Sequence, residues 1–311
     1  MKQKVVVALG GNALGDTPTT QKKAVKLASE SIVDLVELGY EVMVVHGNGP
    51  QVGLIHMAFD MAHKQAANIP SMPLVESTAM SQGYIGYHLQ NGIINALKLR
   101  GYNKDVATLL TQVVVDPDDP SFDNPNKPVG PFYTKAEAAV LEKRDGGIYK
   151  EDANRGYRKV VASPTPLTIV EKNAIRNLLN SEMIVISSGG GGMPVIEKDG
   201  VYVGVEAVID KDRTASLLAK EIEADIFVIL TAVSHVAIHF GKENQKWLHN
   251  MSVDEASAYI KEGHFAAGSM LPKVEAAIRY AKSKKGRIAI ITSLENAKDA
   301  ISKGVGTTIQ Q

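Results

Sequence analysis

The sequence predicts an α/β fold in which an open, mostly parallel central sheet is sandwiched by helices. Short apolar runs alternate with longer amphipathic stretches along most of the chain, the order expected for the strands and helices of a parallel sheet. The apolar runs are rich in valine and isoleucine and lack strict polar alternation, which is typical of strands buried on both faces. Three of the runs lead directly into glycine at their carboxyl ends, and sheets of this kind bind their ligands beyond the carboxyl ends of the strands.

The individual elements can be assigned in chain order from these runs. The predicted strands are Val5–Leu9, Glu41–Val45, Val106–Val115, Met183–Ser187, Asp225–Leu230 and Arg287–Ile291. The predicted helices include Gln21–Leu38, Gln51–Ala62 and Arg213–Ile222. Each of these helices follows a strand or a short loop, as βαβ units require.

A proline-rich segment interrupts the pattern. Asp116–Phe132, with the sequence DPDDPSFDNPNKPVGPF, holds five prolines and four aspartates, so it cannot form a helix or an interior strand. The segment is therefore predicted to leave the sheet. Gly147–Pro166, with aromatic and basic residues between turn formers, is predicted to return from it as a hairpin or small subdomain.

Composition excludes several classes of function. Lysine plus arginine (34) balances aspartate plus glutamate (34), so the chain shows no general electrostatic footprint for nucleic acid or anionic membranes. No segment approaches the ~20 apolar residues of a membrane-spanning helix. The chain has no cysteine, which removes disulfides, thiolate metal sites and cysteine nucleophiles and fits a cytoplasmic location.

The glycine loops are candidate anion sites. Gly10, Gly11 and Asn12 follow the first strand, and Gly47, Asn48 and Gly49 follow the second. Glycine lets backbone N–H groups approach an oxyanion closely, and a following helix start adds its dipole. The usual phosphate-binding motifs are absent, because no G-x-x-x-x-G-K-[ST] occurs and the glycine spacing from Gly47 misses the dinucleotide fingerprint by one position. Lysines from elsewhere are needed to supply charge.

Four consecutive glycines, Gly189–Gly192, could form a slack linker or a surface that lies against a ligand. The run stands between a predicted buried strand and the apolar segment Met193–Ile196, which argues against a flexible linker. We expect it on the ligand rim, where Gly190 and Gly191 would act as a size filter for a small substrate.

Three lysines stand in unusual settings. Lys127 lies inside the proline-rich segment, Lys211 stands between Asp210 and Asp212, and Lys273 follows GSMLP. Most lysines are solvated surface charges. Lys211 is the strongest candidate because it follows an apolar run and precedes a helix, where Asp212 would orient it. Either aspartate could instead be a simple helix N-cap.

With these motifs the chain resembles the amino acid kinase superfamily, and within it the carbamate kinases, over essentially its whole length. The segments that carry the likeness are VVALGGNAL (Val6–Leu14), HGNGPQVG (His46–Gly53), TQVVVDPDDPSFDNPNKPVGPF (Thr111–Phe132), YKEDANRGYRKVVASPTP (Tyr149–Pro166), SGGGGMPV (Ser188–Val195), GVEAVIDKD (Gly204–Asp212) and GHFAAGSMLPKVEAAI (Gly263–Ile278). Three of these motifs point to carbamate kinases in particular: HGNGPQVG, NPNKPVGPF and GVEAVIDKD.

The resemblance implies a reversible reaction in which carbamoyl phosphate plus ADP gives carbamate plus ATP, with Mg²⁺, in a homodimer. It implies an N-terminal lobe (1–210) for the carbamoyl group, a protruding lid subdomain (about 116–166) and a C-terminal nucleotide lobe (211–311). It places the phosphoryl group among Gly10, Gly11, Asn12, Gly49, Lys127 and Lys211, with Gly47, Asn48, Gly190 and Gly191 as further substrate neighbours.

The resemblance also implies a nucleotide site. Lys273 would reach the nucleotide phosphates, and Asp212 would hold the lysines in place. The adenine pocket would come from Thr231–Gly241, with Thr231, Ala232, Phe240 and Met270 as contacts. Family members often read TGVDYV where this chain reads TAVSHV, so the adenine pocket departs from the family pattern here. No protein side chain is assigned to the metal.

Three rival functions have weaker sequence support. A relative that phosphorylates an amino-acid carboxylate would lack the NPNKPVGPF insertion and would need a clamp such as an arginine near the first glycine loops, and no arginine precedes Arg100. A non-catalytic ligand sensor would be expected to lose one of the charged residues. A hydride-transfer enzyme would carry the dinucleotide fingerprint.

Overall fold

The structure is a computed structural model of the 311-residue chain. It describes residues 2–10, 14–15, 17–48, 50–66, 68–152 and 155–311. The predicted site residues Gly11, Asn12 and Gly49 lie outside this described part.

One large sheet organises the molecule. Its strands are β1 (Lys4–Leu9), β2 (Glu41–His46), β3 (Val106–Thr108), β9 (Ile184–Ser187), β12 (Ile226–Thr231), β15 (Asn250–Ser252), β16 (Ile288–Ser293) and β17 (Thr307–Gln310). Their spatial order is β15-β17-β16-β12-β1-β2-β9-β3. All neighbouring pairs are parallel except β16 and β17. The prediction of an open, mostly parallel sheet is therefore confirmed.

Helices cover both faces of this sheet. The helices of the described residues are α1 (Pro18–Glu37), α2 (Gln51–Gln65), α3 (Leu74–Leu99), α4 (Lys135–Asp145), α5 (Lys172–Asn180), α6 (Lys211–Glu221), α7 (Val253–Lys261), α8 (Met270–Lys282) and α9 (Ala297–Lys303). Of these, α4 packs on the small three-stranded sheet described below and not on the main sheet. Alternate residues of β1 supply two separate cores: Val5 and Val7 pack with residues of α1 and α3, whereas Val6 and Ala8 pack with residues of α6 and α8. This two-sided burial explains why the strands lack polar alternation.

The predicted strand Val106–Val115 is wrong as a single element. The chain leaves the main sheet after β3 and enters a second sheet of order β11-β10-β4-β8, whose strands are β4 (Gln112–Val115), β8 (Pro166–Ile169), β10 (Met193–Lys198) and β11 (Val201–Gly204). Gln82 of α3 accepts a hydrogen bond from the Thr111 amide and donates to its carbonyl. These bonds occupy the backbone of Thr111 between the two strands.

The proline-rich segment leads into a small subdomain, which we call the lid after its predicted role. The lid contains α4 and a three-stranded antiparallel sheet of order β5-β7-β6, with β5 (Lys127–Tyr133), β6 (Ile148–Glu151) and β7 (Tyr157–Val161). Pro128 and Pro131 lie on β5, which is an edge strand, the position where proline is tolerated. The predictions of an excursion and a returning hairpin are both confirmed.

The lid is seated on α2 through two glycines. A Cβ atom on Gly53 would lie 2.4 Å from the backbone nitrogen of Gly130 and 2.5 Å from its Cα. Gly130 has φ +71° and stands in an irregularity of the β5–β7 pairing. Only glycine at position 53 allows the helix and the lid strand to approach this closely.

A short hairpin, β13 (Val236–Ile238) with β14 (Lys246–Leu248), completes the C-terminal part of the fold. Among the residues that the structure describes, none of the helices combines the length and apolar character that a membrane-spanning helix requires.

Candidate active site

The ends of the central parallel strands form one rim. Leu9, at the end of β1, pairs with His46 on one side and Leu230 on the other, and Val45 pairs with Ser187 at the end of β9. The loops that follow β1, β2 and β9 therefore lie side by side. The prediction that the glycine loops share one rim is confirmed for their described residues.

Two neighbouring cavities open at this rim. The lid cavity, of about 760 Å³, lies beneath β5 and includes Asn48, Lys127, Gly190, Lys211, Asp212 and Lys273 in its wall. The sheet-edge cavity, of about 490 Å³, includes Gly10, Thr231, Ala232, Ser269 and Lys273. Gly268, Ser269 and Lys273 belong to both walls, so Lys273 stands where the two spaces meet.

Asp210 connects the start of α6 to the lid. One carboxylate oxygen, Oδ1, accepts hydrogen bonds from the backbone N–H groups of Asp212 and Arg213 and so caps the helix. The other oxygen, Oδ2, accepts from Lys127 Nζ at 2.6 Å. The sequence left a simple helix cap open for this residue; Asp210 caps the helix and also binds Lys127.

Asp212 holds the other two lysines. Its Oδ1 accepts from Lys211 Nζ at 2.6 Å and its Oδ2 accepts from Lys273 Nζ at 3.0 Å. The residue is buried, and α8 brings Lys273 to it from a part of the chain about sixty residues away. The predicted role of Asp212 as the residue that orients the lysines matches these contacts.

The charges in this network shift one another's pKa values. Burial opposes ionisation of Asp210, but Lys127 and Lys211 hold its pKa well below the usual value. Burial likewise opposes ionisation of Asp212, but the positive charges of Lys211 and Lys273 outweigh this effect and lower the pKa of Asp212. Burial and the neighbouring Lys211 lower the pKa of Lys273, against the attraction of Asp212. Both carboxylates are therefore ionised at neutral pH.

The four-glycine run is a tightly packed turn. Ser188, Gly190, Gly191 and Gly192 all have φ between 52° and 95°. A Cβ on Gly190 would lie 2.3 Å from Asn48 Nδ2, and one on Gly191 would lie 2.2 Å from the Ile209 carbonyl oxygen. Thr214 of α6 donates its hydroxyl proton to the Gly191 carbonyl at 2.8 Å. The loop therefore joins β9 rigidly to the start of α6.

Asn48 presents an unsatisfied donor beside this turn. The residue is 8% exposed and belongs to the wall of the lid cavity. Its Nδ2 has no hydrogen-bond partner among the described residues. A buried amide without a partner costs about 1–3 kcal/mol, so its position in a cavity wall points to a ligand that accepts a hydrogen bond there.

His46 belongs to the packing of the rim. Its Nδ1 donates to the Gly47 carbonyl at 2.7 Å. Burial lowers the pKa of His46 to about 4, and a Cβ on Gly189 would lie 2.4 Å from the imidazole. The imidazole is therefore neutral at physiological pH and packs and bonds within its loop.

The remaining nucleotide candidates are more scattered. Thr231 and Ala232 line the sheet-edge cavity together with Gly10. The nucleotide candidates Phe240 and Met270, and the substrate candidate Gly191, are not among the described wall residues of the two cavities. Phe240 is 63% exposed and stacks edge-on against Trp247, and Met270 packs on the hydrophobic core. Contact between these residues and a ligand stays a prediction.

Sequence reasoning missed two arginines. Arg155 and Arg158, from the β6–β7 hairpin of the lid, both line the lid cavity. An arginine clamp was expected near the first glycine loops, whereas these two reach the cavity from a segment more than a hundred residues later. The signal was the cluster of basic and aromatic residues within the predicted hairpin.

Comparison with known proteins agrees with this geometry. The sequence model of the Amino acid kinase family matches residues 3–292. The chain is 54% identical to the "Carbamate kinase-like protein YqeA" of Escherichia coli (strain K12) over 311 residues, all of both chains. It is 50% identical to "Carbamate kinase 2" of Staphylococcus epidermidis over 310 residues, 99% of each chain.

A solved structure shows the same fold. The carbamate kinase from Giardia lamblia bound to AMP-PNP superimposes with a TM-score of 0.91 at 43% identity, covering 99% of this chain and 98% of that one. The chain therefore belongs to the amino acid kinase family, and within that family to the carbamate kinases.

Proposed function

We propose that the protein is an active carbamate kinase, which transfers a phosphoryl group reversibly between carbamoyl phosphate and ADP. The observation that carries the proposal is the convergence of Lys127, Lys211 and Lys273 on one cavity through Asp210 and Asp212. Phosphoryl transfer needs two anions to be brought together and their charge to be neutralised. Three ammonium groups fixed by two carboxylates meet this requirement.

The two cavities fit the two substrates. Carbamoyl phosphate is assigned to the lid cavity, where Asn48, Lys127 and Lys211 face it, and the nucleotide is assigned to the sheet-edge cavity. Lys273 belongs to both walls and would stand beside the phosphates that react. We also propose that residues 1–210 and 211–311 form the two lobes. The lobes would meet in the main sheet, where β1 of the first part pairs with β12 of the second.

The reaction needs positioning and charge stabilisation. An oxygen of the ADP β-phosphate attacks phosphorus, a new P–O bond forms, and the bond between phosphorus and the carbamoyl oxygen breaks as carbamate leaves with the electron pair. No proton moves in this step, so no general base is required. The neutral, buried His46 is consistent with that chemistry. Fixed donors such as Asn48 and the lysines stabilise the charge that spreads over the transferred group.

Mg²⁺ is assigned to the nucleotide substrate. The described residues offer no group of three His, Cys, Asp or Glu side chains that could hold a metal ion. Asp210 and Asp212 already bind lysines. Mg²⁺ is commonly held by substrate phosphates with few protein ligands and several waters, and these residues fit a metal that arrives as Mg–ADP.

The lid is proposed to close over carbamoyl phosphate. Its segment 116–166 carries Lys127 into the site, and its contact with Asp210 is a single ion pair whose lysine is one-third exposed. Hydrogen exchange with and without carbamoyl phosphate tests this motion. Increased protection of β5–β7 in the presence of ligand is expected, and equal protection in both samples argues against a lid.

A homodimer is proposed on the exposed face of α3. The apolar residues Ile85, Leu89 and Ile93 of this helix are buried in the core. Its outer face instead exposes Met80 (39%) and Tyr87 (63%). Light scattering of the wild-type protein and of Tyr87→Glu tests the assembly: a dimer that dissociates in the variant is expected, and a wild-type monomer would exclude it.

A cytoplasmic location is also proposed, consistent with the cysteine-free sequence, and subcellular fractionation checks it.

A coupled assay tests the reaction itself. ATP formation from ADP, Mg²⁺ and carbamoyl phosphate should be rapid, whereas acetylglutamyl phosphate in place of carbamoyl phosphate should support little or none. Preference for acetylglutamyl phosphate would assign the chain to the amino-acid branch of the superfamily. Ligand binding without turnover would indicate a sensor.

A further inference from the structure

Arg155 differs from the other cations of the lid cavity in its surroundings. The described wall holds five cationic side chains, Lys127, Arg155, Arg158, Lys211 and Lys273, against the carboxylates of Asp210 and Asp212. The three lysines are all bonded to those carboxylates at 3.0 Å or less. The two arginines lie farther out, on the lid.

The two arginines share one further carboxylate unequally. Arg158 donates to Asp152 at 3.1 Å and to the Gly130 carbonyl at 2.9 Å, and its side chain is 18% exposed. Arg155 approaches Asp152 only to 3.8 Å, and its side chain is 63% exposed. Arg158 is thus a fixed structural residue of the lid, while Arg155 keeps most of its charge unneutralised at the mouth of the cavity.

Phe132 holds Arg155 at that mouth. The guanidinium carbon of Arg155 lies 4.6 Å from the centre of the Phe132 ring, and that of Arg158 lies 5.0 Å from it. Phe132 itself belongs to the cavity wall and stands in the irregular part of β5. An aromatic face attracts a cation over it, so the ring orients the exposed guanidinium without neutralising it.

We propose that Arg155, held on Phe132, captures the phosphate of the incoming acyl phosphate at the mouth of the lid cavity and delivers it to Lys127 and Lys211. The inference rests on the proposed function and assigns it a further substrate-binding residue. A guanidinium matches a phosphate with two parallel N–H donors. An outward-facing cation acts mainly on the association rate and its salt dependence, which distinguishes Arg155 from the inner lysines.

Steady-state kinetics test the capture step. Arg155→Ala is expected to lower kcat/KM for carbamoyl phosphate about tenfold at low ionic strength, with kcat changed less than twofold and the ADP KM unchanged. The deficit should shrink as salt is added, because screening weakens capture in the wild type as well. Arg155→Lys should recover most of the loss, and Phe132→Leu should show an intermediate loss.

Lys143→Ala is the matched control. It removes one positive charge from α4 of the lid, and Lys143 is not among the described residues of the cavity wall. If Lys143→Ala lowered kcat/KM for carbamoyl phosphate as much as Arg155→Ala does, the net charge of the lid would explain the result and the proposal would be overturned. An increase confined to the KM for ADP, or a decrease in kcat alone, would also overturn the proposal.

Calorimetric titration with inorganic phosphate separates this proposal from the reaction. Weaker phosphate binding by Arg155→Ala than by the wild type and Lys143→Ala is expected whether or not the wild type turns over carbamoyl phosphate. Equal binding by all three proteins overturns the capture role. An inactive wild type with the expected difference in phosphate binding would instead refute the proposed reaction and leave the anion-capturing residue in place.

Discussion

Gly53 of α2 and Gly130 of β5 meet backbone to backbone, with space for no side-chain atom on Gly53. Gly130 stands three residues after Lys127 on the same strand. The contact therefore sets how closely the lid, and the lysine that it carries, approaches the rim of the sheet.

Gly53→Ala should displace the lid. The added methyl group would collide with the Gly130 backbone, which cannot rotate away as a side chain can, and a displacement of about 1 Å can cost ~10²-fold in turnover. We expect a large loss of kcat with carbamoyl phosphate. Gly83→Ala is the control, because this helical glycine of α3 has no atom within 4 Å of the added Cβ and should gain up to about 1 kcal/mol. Unchanged kinetics in Gly53→Ala would show that the close contact is dispensable; light scattering checks that Gly83→Ala leaves the assembly intact.

Asp212→Asn should damage both activity and stability. The amide keeps the shape of the side chain but removes the charge shared by Lys211 and Lys273. Breaking a buried ion pair on one side typically costs 3–5 kcal/mol, so roughly that loss is expected in urea unfolding, with turnover reduced about 10²–10³-fold. Asp299→Asn removes a surface partner of Lys303 and should cost under about 1 kcal/mol. Similar behaviour of the two variants would contradict the assigned role.

The three lysines should separate kinetically. Lys127→Ala and Lys211→Ala are each expected to lower turnover about 10²–10³-fold, the scale of losing one preorganised donor to a developing charge. Lys273→Ala should raise the KM for the nucleotide as well as slow the reaction, because Lys273 lies between the two cavities. Lys298→Ala, at a surface ion-pair cluster, is the control. Near-normal turnover in Lys211→Ala would remove that residue from the mechanism.

Lys273 should give an alkaline limb in the pH profile. Its pKa lies below the usual 10.5, so the ammonium group is lost earlier than for an ordinary lysine as pH rises, and kcat/KM for ADP should fall. Bound nucleotide phosphate favours the charged form, so the limb in kcat should lie at higher pH. Lys273→Arg should abolish both limbs, and identical limbs in kcat and kcat/KM would contradict the contact with phosphate.

The same group has the opposite effect on stability. Between its lowered pKa and 10.5 the unfolded chain holds the Lys273 proton more tightly than the folded protein does. The free energy of unfolding contributed by this group therefore rises with pH in that window while activity falls. Urea unfolding of the wild type and of Lys273→Met across the window measures the contribution, which should be absent in the variant.

Alanine in the four-glycine run tests whether it filters substrate size or fixes the rim. Gly190→Ala should displace the Asn48 amide and raise the KM for carbamoyl phosphate, whereas Gly191→Ala should push against the Ile209 carbonyl and destabilise the fold by about 1–3 kcal/mol. Gly200→Ala isolates the backbone cost, because Gly200 has φ +78° but no neighbour within 4 Å. If Gly190→Ala behaves as Gly200→Ala does, the glycines are only a turn.

The sequence predicted most of the sheet because buried parallel strands have a strong local signature. Runs such as Val5–Leu9 and Glu41–Val45 differ from the observed strands by only one residue. Val106–Val115 failed because a continuous apolar run carries no mark of a change of sheet. The break depends on Gln82, a residue of α3 that bonds the Thr111 backbone, and such a contact is invisible to local pattern.

The candidate site was predictable to a different depth at each residue. Lys211 could be argued from its neighbours, and the role of Lys127 came from the family resemblance. The dual bonding of Asp210 and the position of Arg155 needed the fold, because the lid brings its strands over the rim from distant segments. Close backbone approaches, such as that at Gly53, likewise depend on the packing of two elements.

The Asp210–Lys127 ion pair also determines what substrate binding exchanges. The ammonium group of Lys127 is paired with a carboxylate that is anchored to the first turn of α6. In the proposed reaction, an arriving phosphate would compete with that carboxylate for the N–H donors of Lys127. In the proposed reaction the measured affinity for carbamoyl phosphate would therefore reflect the difference between two anions, the bound phosphate and the Asp210 carboxylate.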